Sequence, residues 1–210
     1  MAIALIDYGA GNLTSVRKAF HHLGADIFTP GAPGDLAEAA AVIVPGVGHF
    51  SATRTLTANW HAAIRGGIAA GKPLLGICVG MQWLYEGSVE APECPGLGAI
   101  KTRCQRLSGG IARLKVPHVG WNTLRFPKTT ALFAGVAPDA SVYFTHSFAG
   151  PVTAETAAIA EYGEPFAAAV EDGLVMGVQF HPEKSGDVGL RILSNWMALS
   201  RRRPDRAAGA

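Results

Sequence analysis

The 210-residue sequence has few charged residues. Only 16% are Asp, Glu, Lys or Arg, whereas 49% are hydrophobic. That balance excludes a wholly disordered chain and leaves enough apolar side chains for one sizeable core. The formal net charge is only +2. Nucleic-acid binders usually gather basic charge on one face, so no nucleic-acid partner is expected. The basic residues of 201–206 fall in a segment, 201–210, that is predicted to be a flexible tail.

Cysteine is scarce and unevenly spaced. Cys78, Cys94 and Cys104 are odd in number and include no C-x-x-C pair, which argues against a disulfide framework and against a structural zinc site. The sequence also has no long apolar run behind a basic start. Neither a signal peptide nor a transmembrane segment is therefore predicted, and the expected location is the cytoplasm, with no membrane partner.

Two glycine pairs follow predicted strands without completing a nucleotide-binding loop. Residues 9–11 and 46–48 both read G-x-G, but Thr14 and Ser51 stand where the third glycine of G-x-G-x-x-G belongs. The sequence has no G-K-S or G-K-T phosphate loop either. A nucleotide-binding function is therefore not favoured.

The first half of the chain alternates between strand-like and helix-like segments. Asn12 is predicted to cap a helix that ends at Gly24. The other predicted elements are strands at 3–7, 26–29, 41–44 and 74–77 and helices at 35–40, 52–70 and 79–86. Strands that alternate with helices imply a parallel sheet covered on both faces.

The second half contains several strand-like pieces between residues 96 and 170. They predict antiparallel strands added to the sheet edge. A buried strand at 174–180 and a helix capped by Ser185 complete the pattern. The predicted fold class is α/β, with a mostly parallel central sheet flanked by helices and added antiparallel strands, in a single domain over 1–200.

A cysteine between two glycines follows the fourth predicted strand. Gly76-Ile77-Cys78-Val79-Gly80 has the small-x-nucleophile-x-small form of a nucleophile elbow. The sharp turn lifts the sulfur above the sheet edge and places it at a helix N-terminus, which favours the reactive thiolate. A buried, inert cysteine in a tight turn is the alternative.

The motif Q-F-H-P-E at 179–183 supplies a base and a carboxylate. His181 and Glu183 are two residues apart at a strand end, so in extended backbone they point the same way. Carboxyl ends of parallel strands share one edge, so His181 can reach Cys78 there. The combination predicts a nucleophile, a base and an orienting acid.

The motif P-G-V-G at 45–48 follows the third predicted strand. Backbone N–H groups of Gly46, Val47 and Gly48 are candidate oxyanion donors, together with the N–H of Val79. A flexible turn before a helix is an equally good interpretation of the spacing.

These motifs, in this order, resemble those of the class I glutamine amidotransferases, which have a flavodoxin-like fold. The blocks D-Y-G-A-G-N at 7–12, P-H-V-G-W-N at 117–122 and H-S at 146–147 are similar to those of one branch, the glutaminase subunits of imidazole glycerol phosphate synthases. The resemblance covers about residues 3–199 and implies that the chain hydrolyses L-glutamine with a Cys78-His181-Glu183 triad. It also implies a heterodimer in which ammonia passes to a (β/α)₈ cyclase subunit, with no metal and no cofactor.

Further residues are matched through the resemblance. Gln82, which lies one helical turn after Cys78, and also Glu90 and Ser147 match substrate-binding positions. The positions that match the partner interface are Asn12, Trp121, Tyr143 and Lys184. The sequence departs from the family pattern at three positions, Val79, His49 and Phe148. Phe148 stands where Tyr is common and lacks its hydroxyl.

Three other functions compete with this interpretation. The chain could supply ammonia to purine, pyridoxal or aminobenzoate synthesis. It could be a degenerate subunit that only scaffolds its partner, although the presence of all three triad residues argues against that role. It could also be a stand-alone thiol hydrolase such as a γ-glutamyl peptidase.

Overall fold

A seven-stranded sheet forms the centre of the fold in the computed structural model, which describes residues 2–111 and 113–200. The predicted tail at 201–210 lies outside the described residues. Numbered in chain order and given in their order across the sheet, the strands are β10 (Thr156–Glu161), β11 (Pro165–Asp172), β12 (Val175–Val178), β4 (Leu74–Ile77), β3 (Ala41–Val44), β1 (Ala2–Leu5) and β2 (Asp26–Phe28).

Parallel and antiparallel pairing divide this sheet into two parts. The pairs from β12 to β2 are all parallel, whereas β10 and β11 add an antiparallel edge beside β12. Strands β3, β4 and β12 are buried along their whole length, as expected of parallel strands covered on both faces. The predicted fold class is confirmed.

In the part of the chain that the structure describes, four α-helices accompany the sheet: α1 (Leu13–His22), α2 (Ala58–Ala69), α3 (Val79–Leu84) and α4 (Gly186–Ser200). As predicted, the Asn12 side chain caps α1 by accepting a hydrogen bond from the Ser15 N–H. Phe20 of α1 and Trp196 of α4 are both fully buried and pack edge to face, with ring centroids 5.8 Å apart. This aromatic pair holds the two helices side by side.

Three predicted helices differ from the structure. The helix predicted at 52–70 is a 3₁₀ helix at Phe50–Thr55 followed by α2, and the segment predicted at 35–40 is a 3₁₀ helix at Pro33–Glu38. The helix predicted at 79–86 ends at Leu84, because Tyr85 takes extended backbone and begins a strand that pairs with Ile100. Local hydrophobic spacing cannot reveal such a tertiary requirement.

The prediction that the strands of the second half join the sheet edge is only partly correct. β10 and β11 do so. The remaining strands form two small sheets: β5 (Tyr85–Ser88), β6 (Ile100–Arg106) and β9 (Phe148–Ala149) in one, and β7 (His118–Thr123) and β8 (Ser141–His146) in the other. The β7–β8 ribbon is antiparallel, with Trp121 opposite Tyr143.

Ser185 does not cap α4 with its side chain, contrary to the prediction. Its hydroxyl donates to the carbonyl of His181 at 2.7 Å and accepts from the N–H of Tyr143 at 3.0 Å. The N–H of His181 in turn donates to the carbonyl of Tyr143 at 2.9 Å. These bonds tie the backbone of His181 to β8. The Ser185 hydroxyl is favoured in this position over a helix-capping one because it satisfies two backbone groups here.

The turn from β4 into α3 is closed by two glycines in contact with backbone. A Cβ atom on Gly80 would collide with the carbonyl oxygen of Val44 at the end of β3, and one on Gly76 would lie 2.7 Å from the carbonyl carbon of Gly80. No other residue type fits either position without moving main chain. The glycines flanking Cys78 therefore let α3 start directly against the sheet.

We expect Gly80→Ala to lower the free energy of unfolding by at least about 3 kcal/mol, because the added methyl group must displace the backbone of β3. Gly66→Ala in α2 is the matched control. It adds the same methyl group to a helical glycine with no atom within 4 Å, and it should stabilise the protein by about 0.5–1 kcal/mol. Urea denaturation measures both, and equal effects of the two substitutions would contradict this account.

Candidate active site

Cys78 occupies a strained turn at the carboxyl end of β4. It is one of the few non-glycine residues with positive φ, at 54° with ψ −109°, and it directly precedes α3. Such a conformation is costly and persists only where the surrounding structure imposes it. The residue is 3% exposed, and the Gln179 amide approaches its sulfur to 3.6 Å. The elbow predicted from the glycine spacing is present in the backbone.

His181 and Glu183 form a buried pair beside this turn. The Nδ1 atom of His181 lies 2.8 Å from Oε1 of Glu183, and each side chain is only 1% exposed. The other ring nitrogen, Nε2, is buried and makes no hydrogen bond of good geometry to any described residue. One imidazole nitrogen is thus held by a carboxylate while the other remains available.

The charges around His181 control its protonation. Burial by itself lowers the pKa of this imidazole, whereas the adjacent Cys78 sulfur and the Glu183 carboxylate raise it, and the net result is a pKa of about 9. A carboxylate hydrogen-bonded to an imidazole stabilises the charged form of the ring. The structure therefore favours imidazolium at neutral pH, close to the Cys78 sulfur.

A cavity of about 260 Å³ opens at this edge of the sheet. Its walls include Cys78, Val79, Gln82, Glu90 and Ser147, together with the P-G-V-G loop and the start of β9. A cavity of this size suits a ligand no larger than a single amino acid or a similarly small molecule. The predicted nucleophile and the predicted substrate-binding residues are thus brought to one cavity.

Gln82 is held in the floor of this cavity by its amide. Its Nε2 atom donates to the carbonyl of Phe148 at 2.8 Å and to Oε1 of Gln179 at 3.2 Å. Because the Gln179 amide nitrogen lies near the Cys78 sulfur, a line of amides joins β9 to the nucleophile. Gln179, fully buried on the strand end before His181, was not among the predicted site residues.

Glu90 and Ser147 both line the cavity. The carboxylate of Glu90 accepts a hydrogen bond from the Phe50 N–H at 2.8 Å, and its other oxygen lies 4.0 Å from Nε2 of His49. The His49 side chain is 57% exposed. It therefore stays largely in solvent, although it reaches the edge of the site through Glu90.

The P-G-V-G loop holds its central N–H away from the cavity. The N–H of Val47 donates to the carbonyl of Ala10 at 3.2 Å, in the loop after β1. The N–H of Val79 makes no hydrogen bond within the part of the chain that the structure describes. Gly48 adopts φ +90°, a conformation open to glycine. Of the four predicted donors, the N–H of Val47 is thus bound, whereas those of Gly46, Gly48 and Val79 make no hydrogen bond to the residues that the structure describes.

Two histidines form a second buried pair, and one of them, His146, lines the cavity. Nδ1 of His118 lies 3.0 Å from Nε2 of His146, and Nδ1 of His146 lies 3.0 Å from the carbonyl of Phe148. Burial lowers the pKa of His118 to about 4. For His146, burial and then the neighbouring His118 and His181 lower the pKa to about 3. Both rings are therefore neutral near pH 7.

Asn122 defines where the protons of this pair reside. Its Oδ1 accepts from the Thr123 N–H, so its amide nitrogen is the atom that lies 2.8 Å from the Glu161 carbonyl and 3.4 Å from Nε2 of His118. His118 accepts at Nε2, so it carries its proton on Nδ1 and donates to His146. The chain of hydrogen bonds then runs in one direction toward β9.

Comparison with known proteins identifies the family. The family described as glutamine amidotransferase class-I matches residues 4–198. The chain belongs to the class-I glutamine amidotransferase family. Among its relatives, the imidazole glycerol phosphate synthase subunit HisH of Shouchella clausii is 45% identical over 205 residues, covering 94% of this chain and 98% of the relative. The subunit of the same name from Deinococcus radiodurans is 42% identical over 200 residues, which is 92% of each chain.

Solved structures share the fold of this glutamine amidotransferase at low sequence identity. A crystal structure of a glutamine amidotransferase superposes with a TM-score of 0.73 at 20% identity and covers 95% of this chain and 99% of that one. The structure of PurLQS from Thermotoga maritima gives 0.70 at 20% identity, with 94% and 97% covered. These likenesses show that the architecture is common to the class.

An exposed aromatic face lies on the β7–β8 ribbon of this glutamine amidotransferase. Trp121 is 59% exposed, and its ring packs edge to face with that of Tyr143 at 6.1 Å. Nζ of Lys184 lies 5.8 Å from the centroid of Tyr143, within the range of a cation–π contact. Three of the four predicted interface residues are thus adjacent. The fourth, Asn12, starts α1, which packs against the 3₁₀ helix that carries Lys184.

Within the described ranges, no group of three or more His, Cys, Asp or Glu side chains is arranged to hold a metal ion. The search of those same residues finds no helix with the length and hydropathy required to span a membrane.

Sequence reasoning missed Gln179 and the two buried histidines. Gln179 is the first residue of the Q-F-H-P-E motif and lies two residues before His181. Residues two apart in extended backbone point the same way, so this spacing could have predicted that Gln179 lies near Cys78. His118 and His146 are 28 residues apart, and only the register of β7 with β8 makes them opposite neighbours. No local pattern in the sequence predicts that register.

The neutral histidine pair makes stability sensitive to acid. The unfolded chain binds a proton at His118 below pH 6.5, whereas the folded chain does so only near pH 4, so the free energy of unfolding falls as pH drops between these values. We expect His118→Gln to reduce the slope of unfolding free energy against pH by about 1 kcal/mol per pH unit in that window.

Urea denaturation at a series of pH values measures this slope. His21→Gln on the exposed face of α1 is the matched control and should keep the wild-type slope. The account fails if the two variants give parallel curves.

Proposed function

We propose that this chain is the glutamine-hydrolysing subunit of an imidazole glycerol phosphate synthase, in histidine biosynthesis, and that residues 1–200 form its single glutamine amidotransferase domain. The observation that carries the proposal is that Cys78, which lines an amino-acid-sized cavity, lies beside the buried His181–Glu183 pair. Relatives more than 40% identical over nearly their whole length carry that subunit's name. The names of those relatives favour this branch over ammonia supply to other syntheses.

In the proposed reaction the Cys78 thiolate attacks the side-chain amide carbon of L-glutamine. The carbonyl π bond opens to an oxyanion, and a thioester forms as the C–N bond breaks. His181, held as imidazolium between two negative groups, donates its Nε2 proton to the leaving nitrogen, which departs as ammonia. Neutral His181 then takes a proton from water, which attacks the thioester to release glutamate and restore the thiolate.

Glu183 acts by fixing the imidazole rather than by exchanging protons. Its carboxylate accepts from Nδ1 at 2.8 Å, so the reactive proton stays on Nε2 and the ring cannot turn away from the sulfur. The side chain is buried, which keeps its negative charge unscreened by solvent and supports the raised pKa of His181.

The cavity walls have the groups needed to bind free glutamine. The carboxylate of Glu90 is suited to the α-ammonium group, and the hydroxyl of Ser147 to the α-carboxylate or amide. The carbonyl oxygen of Gln82 is free to accept from the substrate because its amide nitrogen is bound to Phe148 and Gln179. Phe148, which lacks the hydroxyl of the more common Tyr, contributes its backbone carbonyl to this arrangement.

Oxyanion stabilisation is incomplete in the resting loop. Val79 offers a free N–H, but the N–H of Val47 is bound to Ala10. We propose that the peptide between Gly46 and Val47 rotates when the synthase partner and its nucleotide are bound, which turns a second N–H toward the oxyanion. Glycines on both sides of Val47 make that rotation inexpensive.

The proposed partner is a (β/α)₈ cyclase subunit, in a heterodimer, docked on the exposed aromatic face. This face is formed by Trp121, Tyr143 and Lys184, and Trp and Tyr are favoured anchors of interfaces. Asn12, at the start of the neighbouring helix α1, is proposed to contact the partner as well. Ammonia then passes to the cyclase site. There it reacts with a phosphoribulosyl formimino carboxamide nucleotide to give imidazole glycerol phosphate and the aminoimidazole carboxamide ribotide.

Cys78→Ala tests the nucleophile. In the reconstituted complex we expect glutamine-dependent synthesis to fall more than about 1000-fold, since no thioester can form, while synthesis from added ammonium salt stays at the wild-type rate. Cys94→Ala removes another buried thiol and should leave both rates intact. Glutamine-dependent turnover by the Cys78→Ala complex would contradict the assignment.

The resting loop predicts that the isolated chain is a weak glutaminase. Glutamate release by the purified chain should rise about 100-fold or more on adding the cyclase subunit and its nucleotide, because the second oxyanion donor becomes available. An enzyme-coupled glutamate assay measures this ratio. Full activity without the partner would disprove the proposed coupling, although it would leave the proposed triad standing.

A further inference from the structure

A buried hydroxyl without a partner lies beside the P-G-V-G loop. Tyr8, in the segment after β1, is 9% exposed, and its Oη makes no hydrogen bond to any residue that the structure describes. Burial, and then the nearby Cys78, raise the pKa of this phenol, so the hydroxyl keeps its proton and remains a donor. Buried hydroxyls normally find a partner, so an unpaired one suggests that the partner is provided in another conformation.

The hydroxyl of Tyr8 is packed against Gly46. A Cβ atom added to Gly46 would collide with Oη of Tyr8 and would lie 2.7 Å from Cβ of Val79. Tyr8 is not among the residues that line the cavity. Its hydroxyl therefore lies behind the lining of the cavity, beside Gly46, and close enough to Cys78 for the sulfur to raise the pKa of the phenol.

The geometry of one peptide group connects this hydroxyl to catalysis. The carbonyl of Gly46 and the N–H of Val47 belong to the same planar trans unit and point in opposite directions. While the N–H is bound to the Ala10 carbonyl, the Gly46 carbonyl points away from that side. Rotation of the peptide unit turns the N–H toward the cavity and the Gly46 carbonyl toward Ala10. The Gly46 carbonyl then faces the Ala10 carbonyl, which is also an acceptor, so it needs a hydrogen-bond donor.

We propose that Tyr8 is a positioning residue of the oxyanion loop, and that its hydroxyl donates to the Gly46 carbonyl once the Gly46–Val47 peptide has rotated. The inference rests on the proposed function. In the resting loop the hydroxyl is unpaired, and in the rotated loop it is paired. Tyr8 thus favours the competent loop without touching substrate.

Tyr8→Phe removes only the hydroxyl and tests this role in the complex of the full chain with the cyclase subunit and its nucleotide. We expect kcat for glutamine hydrolysis to fall roughly tenfold, the size of effect that one lost hydrogen bond produces. KM for glutamine and synthesis from ammonium salt should not change. The melting temperature should stay the same or rise, because an unpaired buried hydroxyl is lost.

Tyr85→Phe is the matched control. Its hydroxyl is also buried and unpaired, but it lies against Gly150 instead of Gly46. This variant should show a similar change of melting temperature and the wild-type kcat.

Three results would overturn the inference: wild-type kcat in the Tyr8→Phe complex, a lower kcat accompanied by a lower melting temperature, or an equal loss of kcat in Tyr85→Phe. The proposed function itself is tested by a different sample, the wild-type complex. A wild-type complex that releases no glutamate would reject that function before either variant is compared.

Discussion

The site depends on one backbone contact, the approach of Gly80 to the carbonyl of Val44 at the end of β3. Because no side chain separates them, α3 starts directly above the sheet, and Cys78 is forced into a left-handed conformation at the turn. That strained conformation persists only because the buried strands β3 and β4, which pair with each other, hold the start of α3 in place. Every other group of the site is arranged around a sulfur whose position this contact determines.

Two buried histidines beside the cavity have opposite electrostatic surroundings. His181 lies between a sulfur and a carboxylate, and its pKa rises to about 9 in spite of burial. His146 is buried without an opposite charge, and its pKa falls to about 3. Burial acts on both in the same direction, so the presence of negative neighbours decides the outcome. One imidazole is thereby prepared to donate a proton, while the other serves as a neutral link between β7 and β9.

The resting loop is held by little energy. A backbone hydrogen bond such as that from Val47 to Ala10 contributes only about 0.5–1.5 kcal/mol, so a partner that binds the rotated loop slightly better shifts the population by an order of magnitude. In the resting loop the N–H of Val79 is free and the N–H of Val47 is bound, so only one of these two proposed oxyanion donors is ready. Regulation by a synthase partner then requires the rotation of one peptide group rather than a rearrangement of the fold.

By itself, the sequence determined the fold class, the elbow at Cys78, the His181–Glu183 pair and the aromatic interface candidates, because each follows from spacing within a few residues or from a motif. Only the tertiary structure decided which backbone groups were already bound. It assigned the Val47 N–H to Ala10 and the Ser185 hydroxyl to His181 and Tyr143. It also ended α3 before Tyr85 and paired His118 with His146. These features depend on strand register and on contacts between segments far apart in the chain, which local hydrophobic periodicity does not record.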